Sequence, residues 1–200
     1  MAVAKSVFAK AGYELVVEFY PWNRAVNLAK TNKKYAGYFP EYYAKDLEKD
    51  FIFSKPFGKG PLGFAELKSK PVPWSSLDDL KGMKLGTVAG YVNTQAFDDM
   101  VASGGLKADA ARSDMANLQK VGAGRIQLAV IDENVMHYLL KTEPALKRYA
   151  DKIGFNAKVL EDKKLYVCFR RDGADMQMID AFNKAVDAVN AAAMLDKKLK

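Results

Sequence analysis

The apolar positions of this chain change period along its length, and each change marks a helix or a strand. Val3, Val7, Phe8 and Ala11 recur at helical spacing and predict a helix over residues 2–11, stopped by Gly12. Residues 14–20 alternate around Val16, Val17 and Phe19 and predict a strand that Pro21 ends. Trp22, Ala25, Val26 and Ala29 give one apolar face to a helix over 22–30. Residues 35–39 read as a short strand interrupted at Gly37, and residues 51–53 as another apolar extended piece. Helix, strand, helix, strand is the grammar of a parallel sheet with crossover helices.

A glycine- and proline-rich stretch then punctuates the chain, with a short extended run at 64–67 inside it, and the grammar repeats beyond. Ser75 or Ser76 opens a short helix with Asp78 and Asp79 at its positive end, and Gly82 closes it. A strand over 83–88 runs to Gly90, and Tyr91 to Thr94 open a helix over about 93–102 that Gly104 and Gly105 close. Ser113 is placed to cap a helix carrying Met115, Leu118 and Val121. Residues 126–131 hold too few polar positions to face water on either side, so they read as a buried strand. That strand delivers Asp132 at its carboxyl end, where α/β sheets place functional groups. A helix through Val135, Leu139 and Leu140 stops before Pro144, residues 165–169 are extended again, and residues 175–195 form a long helix.

Composition narrows the classes. Two hundred residues suffice for one domain or two small ones, and 50% hydrophobic with 28% charged residues is an ordinary globular balance. No apolar run approaches membrane-spanning length. The net charge of +7 is scattered from Lys5 to Lys200 with no aromatic-rich basic strand, so it reads as a solvated surface and no nucleic-acid partner is expected. Cys168 stands alone and forms no internal disulfide, and the single His137, placed within a helix as a structural residue, cannot build a histidine metal cluster. No metal or other cofactor is expected. No nucleophile–base pair or phosphate loop is visible, which argues against an enzyme. No signal peptide precedes residue 1, and a mature secreted chain would equally lack one.

Five pieces in order carry a family resemblance: Pro21-Trp22-x-Arg24-Ala25; Gly37-Tyr38-Phe39-Pro40; Phe53-Ser54-Lys55-Pro56-Phe57; Leu77-x-x-Leu80-Lys81-Gly82-x-x-Leu85-Gly86; and Gly124-Arg125-Ile126-x-x-Ala129-x-x-Asp132. Together they resemble the extracellular solute-binding proteins of family 3, the receptors of bacterial ABC importers. The resemblance implies an α/β, two-lobed, periplasmic-binding-protein clamp of type II, each lobe a mainly parallel sheet flanked by helices. Lobe 1 would comprise residues 1–63 with 166–200 and lobe 2 residues 64–165, joined by hinge strands near 61–67 and 163–167. It further implies a periplasmic protein that captures a small polar solute between its lobes and hands it to a membrane permease, with no covalent chemistry.

The chain departs from that pattern in three places. Amino-acid-binding members carry a carboxylate-clamping arginine where Leu47 stands here, with Lys45 and Lys49 nearby. Ala36 replaces the usual acidic residue before Gly37. On that resemblance the chain would begin inside the family's first helix, without the strand that precedes it there, and strand 14–20 is expected to want a partner that a second copy or a rearranged segment of the chain itself would supply.

The resemblance nominates Trp22, Arg24, Tyr38, Glu41, Phe57, Tyr91, Val92 and Asp132 as solute contacts, and each has a plainer reading. Trp22 is a stacking platform or core, Arg24 an anion contact or the partner of an acidic surface group, and Phe57 a ligand contact or hinge packing. Tyr38 and Phe39 point to opposite faces of a strand, and Tyr38 is the better placed of the two for a ligand. Glu41 either meets a cationic solute or is a solvated loop carboxylate. Tyr91 and Val92 would offer backbone N–H groups at a helix start. Asp132 accepts a ligand amine or caps the helix that follows. Two other functions fit the same clamp: the ligand-sensing domain of a signalling receptor, and an enzyme resembling the dehydratases of cyclic carboxylates, with Glu41 or Asp132 as the acid or base.

Overall fold

A computed structural model describes residues 1–189. In chain order its elements are α1 (Ala2–Lys10), α2 (Trp22–Thr31), β1 (Gly37–Glu41), β2 (Phe51–Phe53), β3 (Gly58–Leu67), β4 (Leu85–Val88), α3 (Gln95–Ala102), β5 (Ala108–Ala111), α4 (Asp114–Gly122), β6 (Leu128–Asp132), α5 (Glu133–Thr142), β7 (Ile153–Phe155), β8 (Glu161–Arg170) and α6 (Met176–Ala188). Two compact units divide the chain: Met1–Lys59 with Lys164–Lys200, and Gly60–Lys163. The chain thus passes between units twice, within β3 and within β8. Among the described residues no helix is long and apolar enough to cross a membrane.

The first unit is built on α1 and α6. Val3, Val7 and Phe8 of α1 pack with Ile179, Phe182, Ala185 and Val186 of α6, over Phe57 and over Val167 and Phe169 of β8. Phe182 centres the cluster, its ring 4.7 Å from Phe8 and 5.6 Å from Phe169. Asp175 caps α6 by accepting the Met178 N–H at 3.0 Å. The helix expected over 175–195 is present to Ala188, and residues 190–195 lie outside the described residues. A second cluster gathers Ala29, Tyr38, Phe51 and Cys168, with Trp22, Val26, Leu47 and Phe53 packed on it.

Strand direction in this unit differs from the parallel sheet expected. Both β1 and β2 pair antiparallel with β8, Tyr38 opposite Cys168 and Ile52 opposite Phe169. The cause is nonlocal, because β8 re-enters from the second unit and so meets strands of the outgoing chain.

Residues 14–20 are likewise not a strand. Their exposure alternates as expected, Leu15 resting on the core while Val16 stays 77% and Phe19 83% exposed, but no described residue offers their backbone a ladder. Alternation sets an extended path; only paired N–H and C=O groups make a strand. Side chains hold the segment instead. Glu18 accepts from the hydroxyls of Tyr20 and Tyr35, each at 2.6 Å, and from the Lys34 ammonium at 2.5 Å. Those bonds, Lys34's foremost, bring its carboxyl down to about 2.

The second unit carries a mixed sheet in the order β7-β3-β6-β4-β5. Strands β5, β4 and β6 run parallel, and β3 lies antiparallel between β6 and β7. Leu118 and Val121 of α4 and Met136 of α5 pack on Ala65, Ala129 and Ile131 of the sheet. Phe64 packs edge-on against Trp74 and Phe97, at 5.6 and 6.1 Å. Ser76 and Asp79 form a reciprocal capping box on a one-turn 3-10 helix over Leu77–Leu80. Strands β5 and β7, absent from the sequence reading, are four and three residues long, and one is alanine-rich while the other holds Gly154.

Candidate functional site

Three parallel strands of the second unit end almost level. Val88 of β4 lies opposite Ala111 of β5, and Gly86 opposite Ala129 of β6, so Val88 stands near Ile131. Just beyond this line the chain places Tyr91 after β4, Asp114 after β5 and Asp132 at the end of β6.

Asp132 caps α5. Its Oδ1 accepts the N–H groups of Asn134 at 2.8 Å and Val135 at 3.3 Å, so the helix-cap reading holds. The same carboxylate faces β3. A Cβ on Gly60 would fall 2.0 Å from its Oδ2, so with this carboxylate in place β3 has no room for a side chain there.

Asp114, which sequence reasoning missed, is the first residue of α4, directly after the capping Ser113, whose Oγ accepts the Ala116 N–H at 3.3 Å. Its exposure is only 9%, and the Tyr91 hydroxyl donates to its Oδ2 at 3.0 Å. Burial above all, with the charge of Asp132, drives its carboxyl up, while the Tyr91 bond and its own N–H draw it down; it comes to about 6. The available signal was an aspartate next to an N-cap serine, just past a strand end.

The Tyr91 N–H does not serve a helix start as expected. It bonds the Val88 carbonyl at 3.1 Å, and α3 begins only at Gln95, capped by Thr94. Val92 is half-buried in the intervening turn, where Asn93 is held by Asp98.

The candidates in the first unit fall into one packed group and one exposed side chain. Trp22 opens α2 and stands edge-on to Tyr38 at 5.6 Å, and Tyr38 is buried against Phe51 at 4.9 Å. Glu41 is no solvated loop carboxylate. It is the last residue of β1 and 5% exposed, accepting the Tyr38 hydroxyl at 3.0 Å and the Tyr42 N–H at 2.8 Å. Burial, with the nearby Glu41 charge, raises the Tyr38 phenol far above its usual range, and burial pushes the Cys168 thiol up to about 12. That thiol is therefore unreactive. Arg24 is exposed, its guanidinium stacked 5.2 Å over the Tyr20 ring. Phe57 lies in the core beside Phe39 and Phe182, the packing reading. Leu47 packs on the Tyr38 cluster. His137 lies on the exposed side of α5 and so has no place in the core.

Chemically, the edge of the second unit offers two carboxylates and a phenol, an arrangement suited to a cation. Among the described residues no group of three or more His, Cys, Asp or Glu side chains could hold a metal ion.

No family model matches the chain. It is 23% identical over 198 residues to the arginine-binding extracellular protein ArtP of Bacillus subtilis, covering 98% of this chain and 73% of that protein. A structure of an amino acid ABC transporter substrate-binding protein from Streptococcus pneumoniae, bound to L-arginine, superposes with a TM-score of 0.74 at 16% identity over 98% of this chain and 79% of that one. The fold is that of a solute-binding protein. A histidine kinase sensor domain shares this solute-binding fold, with a TM-score of 0.78 at 12% identity over 94% of this chain and 78% of its own. The likeness runs along nearly the whole chain, as the resemblance to family 3 implies.

Proposed function

We propose that this protein is a periplasmic solute-binding protein of the importer type that takes up a small cationic solute and presents it to a membrane permease. The observation that carries the reading is the acidic carboxyl edge of β4, β5 and β6, where Asp132 and Asp114 come together in this fold. An ammonium or guanidinium group meeting Asp132 would make a charge-assisted hydrogen bond contributing ~1.5–3 kcal/mol. The arginine-binding relative and the arginine-bound structure support that chemistry.

The solute's other end is a different matter. Leu47 occupies the position of the carboxylate-clamping arginine and is committed to the Tyr38 cluster. Free α-amino acids therefore bind more weakly here than in proteins that keep the clamp. The protein binds and releases its solute without turnover, as the binding proteins it resembles suggest. A sensing role for the same unit is the second reading, favoured by the likeness to the kinase sensor domain.

The deciding experiment is native mass spectrometry of the purified protein, followed by calorimetry with arginine, lysine, agmatine, glutamate and glucose. We expect the cations to bind and to be recovered unchanged. Failure of every solute to bind at millimolar concentration would defeat the reading, and exclusive binding of glutamate or glucose would remove the cationic class.

A further inference from the structure

We propose that Asp114 is a positioning residue of the solute site, a buried carboxylate that gives up its proton when a cation docks at Asp132 and so makes solute capture depend on pH. The inference rests on the solute-binding reading above and adds to it a residue, a direction of coupling and a selectivity.

The geometry comes first. Asp114 follows β5, Tyr91 follows β4 and Asp132 closes β6, and the register of these three parallel strands brings their ends to one level. The titratable groups that act on Asp114 come from the ends of β4, the neighbour of β5, and of β6, one strand further on. Tyr91 donates to its Oδ2 at 3.0 Å, and Asp132 acts on it through its negative charge. No cationic side chain is among the groups that set its ionisation. Asp132, for its part, is held in place by the two N–H groups it caps and by β3, whose Gly60 leaves room for it.

Two carboxylates so disposed cannot both hold full charge cheaply, and the buried one keeps its proton longer. Its ionisation near pH 6 agrees with that arrangement. A cation bound at Asp132 cancels the repulsion and adds an attraction of its own. Asp114 then ionises at lower pH, so docking releases a proton wherever the pH lies between that lowered point and about 6. By linkage, affinity rises with pH up to that point and levels off above it. A neutral solute gains nothing from the second charge, and an anion is repelled by it, so the same residue sharpens selection for cations.

The test uses agmatine as the probe, titrated by calorimetry into wild type, Asp114→Asn and Tyr91→Phe, in buffers of different ionisation enthalpy so that proton release is counted directly. For wild type, affinity should rise about tenfold between about pH 5 and about pH 7, with close to one proton released per agmatine at the lower value. In Asp114→Asn the profile should be flat and the proton release absent. Tyr91→Phe removes a bond that favours the ionised form, so the midpoint of the profile should move to higher pH; this variant also answers the question should Asp114→Asn fold poorly. Agmatine binding that is flat with pH in wild type, or unchanged in slope in Asp114→Asn, overturns the proposal and leaves the solute-binding reading standing. If neither agmatine nor any other cation binds at either pH, the cationic-solute reading fails and the inference falls with it.

Discussion

A carboxylate as buried as Asp114 is tolerated in its charged form only where donors offset its desolvation, and here the Tyr91 hydroxyl and its own N–H are those that act on it. The folded protein holds this proton up to about pH 6, whereas an unfolded aspartate loses it in the ordinary carboxylate range. Between those limits the native state binds more protons, so the contribution of Asp114 to stability falls as pH rises through the window. We expect Asp114→Asn to be more stable than wild type at about pH 8 and equal to it at about pH 4, as read from denaturant midpoints. A wild-type advantage at the higher pH would contradict the burial argument. Gly60 makes a second prediction at this scale. An added methyl would meet the Asp132 carboxylate, so Gly60→Ala should cost about 1–3 kcal/mol and weaken solute binding by displacing that group. Unaltered stability and affinity would show that β3 can give way without disturbing it.

Among elements, α5 depends on Asp132 for its first free N–H groups, and the same side chain is the proposed solute contact. The two roles separate by substitution. Serine caps a helix nearly as well as aspartate, so Asp132→Ser should keep the unfolding free energy within about 0.5 kcal/mol of wild type while abolishing cation binding. Asp132→Ala should lose both the binding and about 1 kcal/mol of stability. Cation binding retained in the serine variant would place the contact elsewhere. The segment at residues 14–20 shows the opposite relation of residue to element. Its composition suits a strand, yet side chains gathered on Glu18 secure it and no ladder does.

For the molecule as a whole, the proposed loss of the carboxylate clamp at Leu47 separates two kinds of ligand. Arginine and agmatine share a guanidinium and differ in the carboxylate, which nothing at position 47 can grip. They should therefore bind within about tenfold of one another, less than the few kcal/mol that a lost bidentate contact would otherwise make. Arginine favoured by several hundredfold in competition calorimetry would reveal another carboxylate clamp. Whichever cation proves tightest, supplying it at a hundred times its dissociation constant should add ~2.7 kcal/mol to unfolding stability.

What the sequence determined by itself was local. Helices α1, α2, α4, α5 and α6 are each written in a run of periodic apolar residues, most with a capping or stopping residue beside them. Asp132 was legible because an uninterrupted apolar strand ends at it. Tertiary structure decided everything that depends on a distant partner. Residues 14–20 have the alternation of a strand and no ladder; β1 and β2 pair antiparallel because β8 returns to them; β5 and β7 are too short to signal themselves. Glu41 changed from a surface carboxylate to a buried acceptor once Tyr38 folded onto it. Asp114 acquired its character from Tyr91, 23 residues away, and from the end of a third strand. A capping serine or a helical period is set by residues a few positions apart, whereas the charge state of a buried carboxylate is set by whichever groups the folded sheet brings beside it.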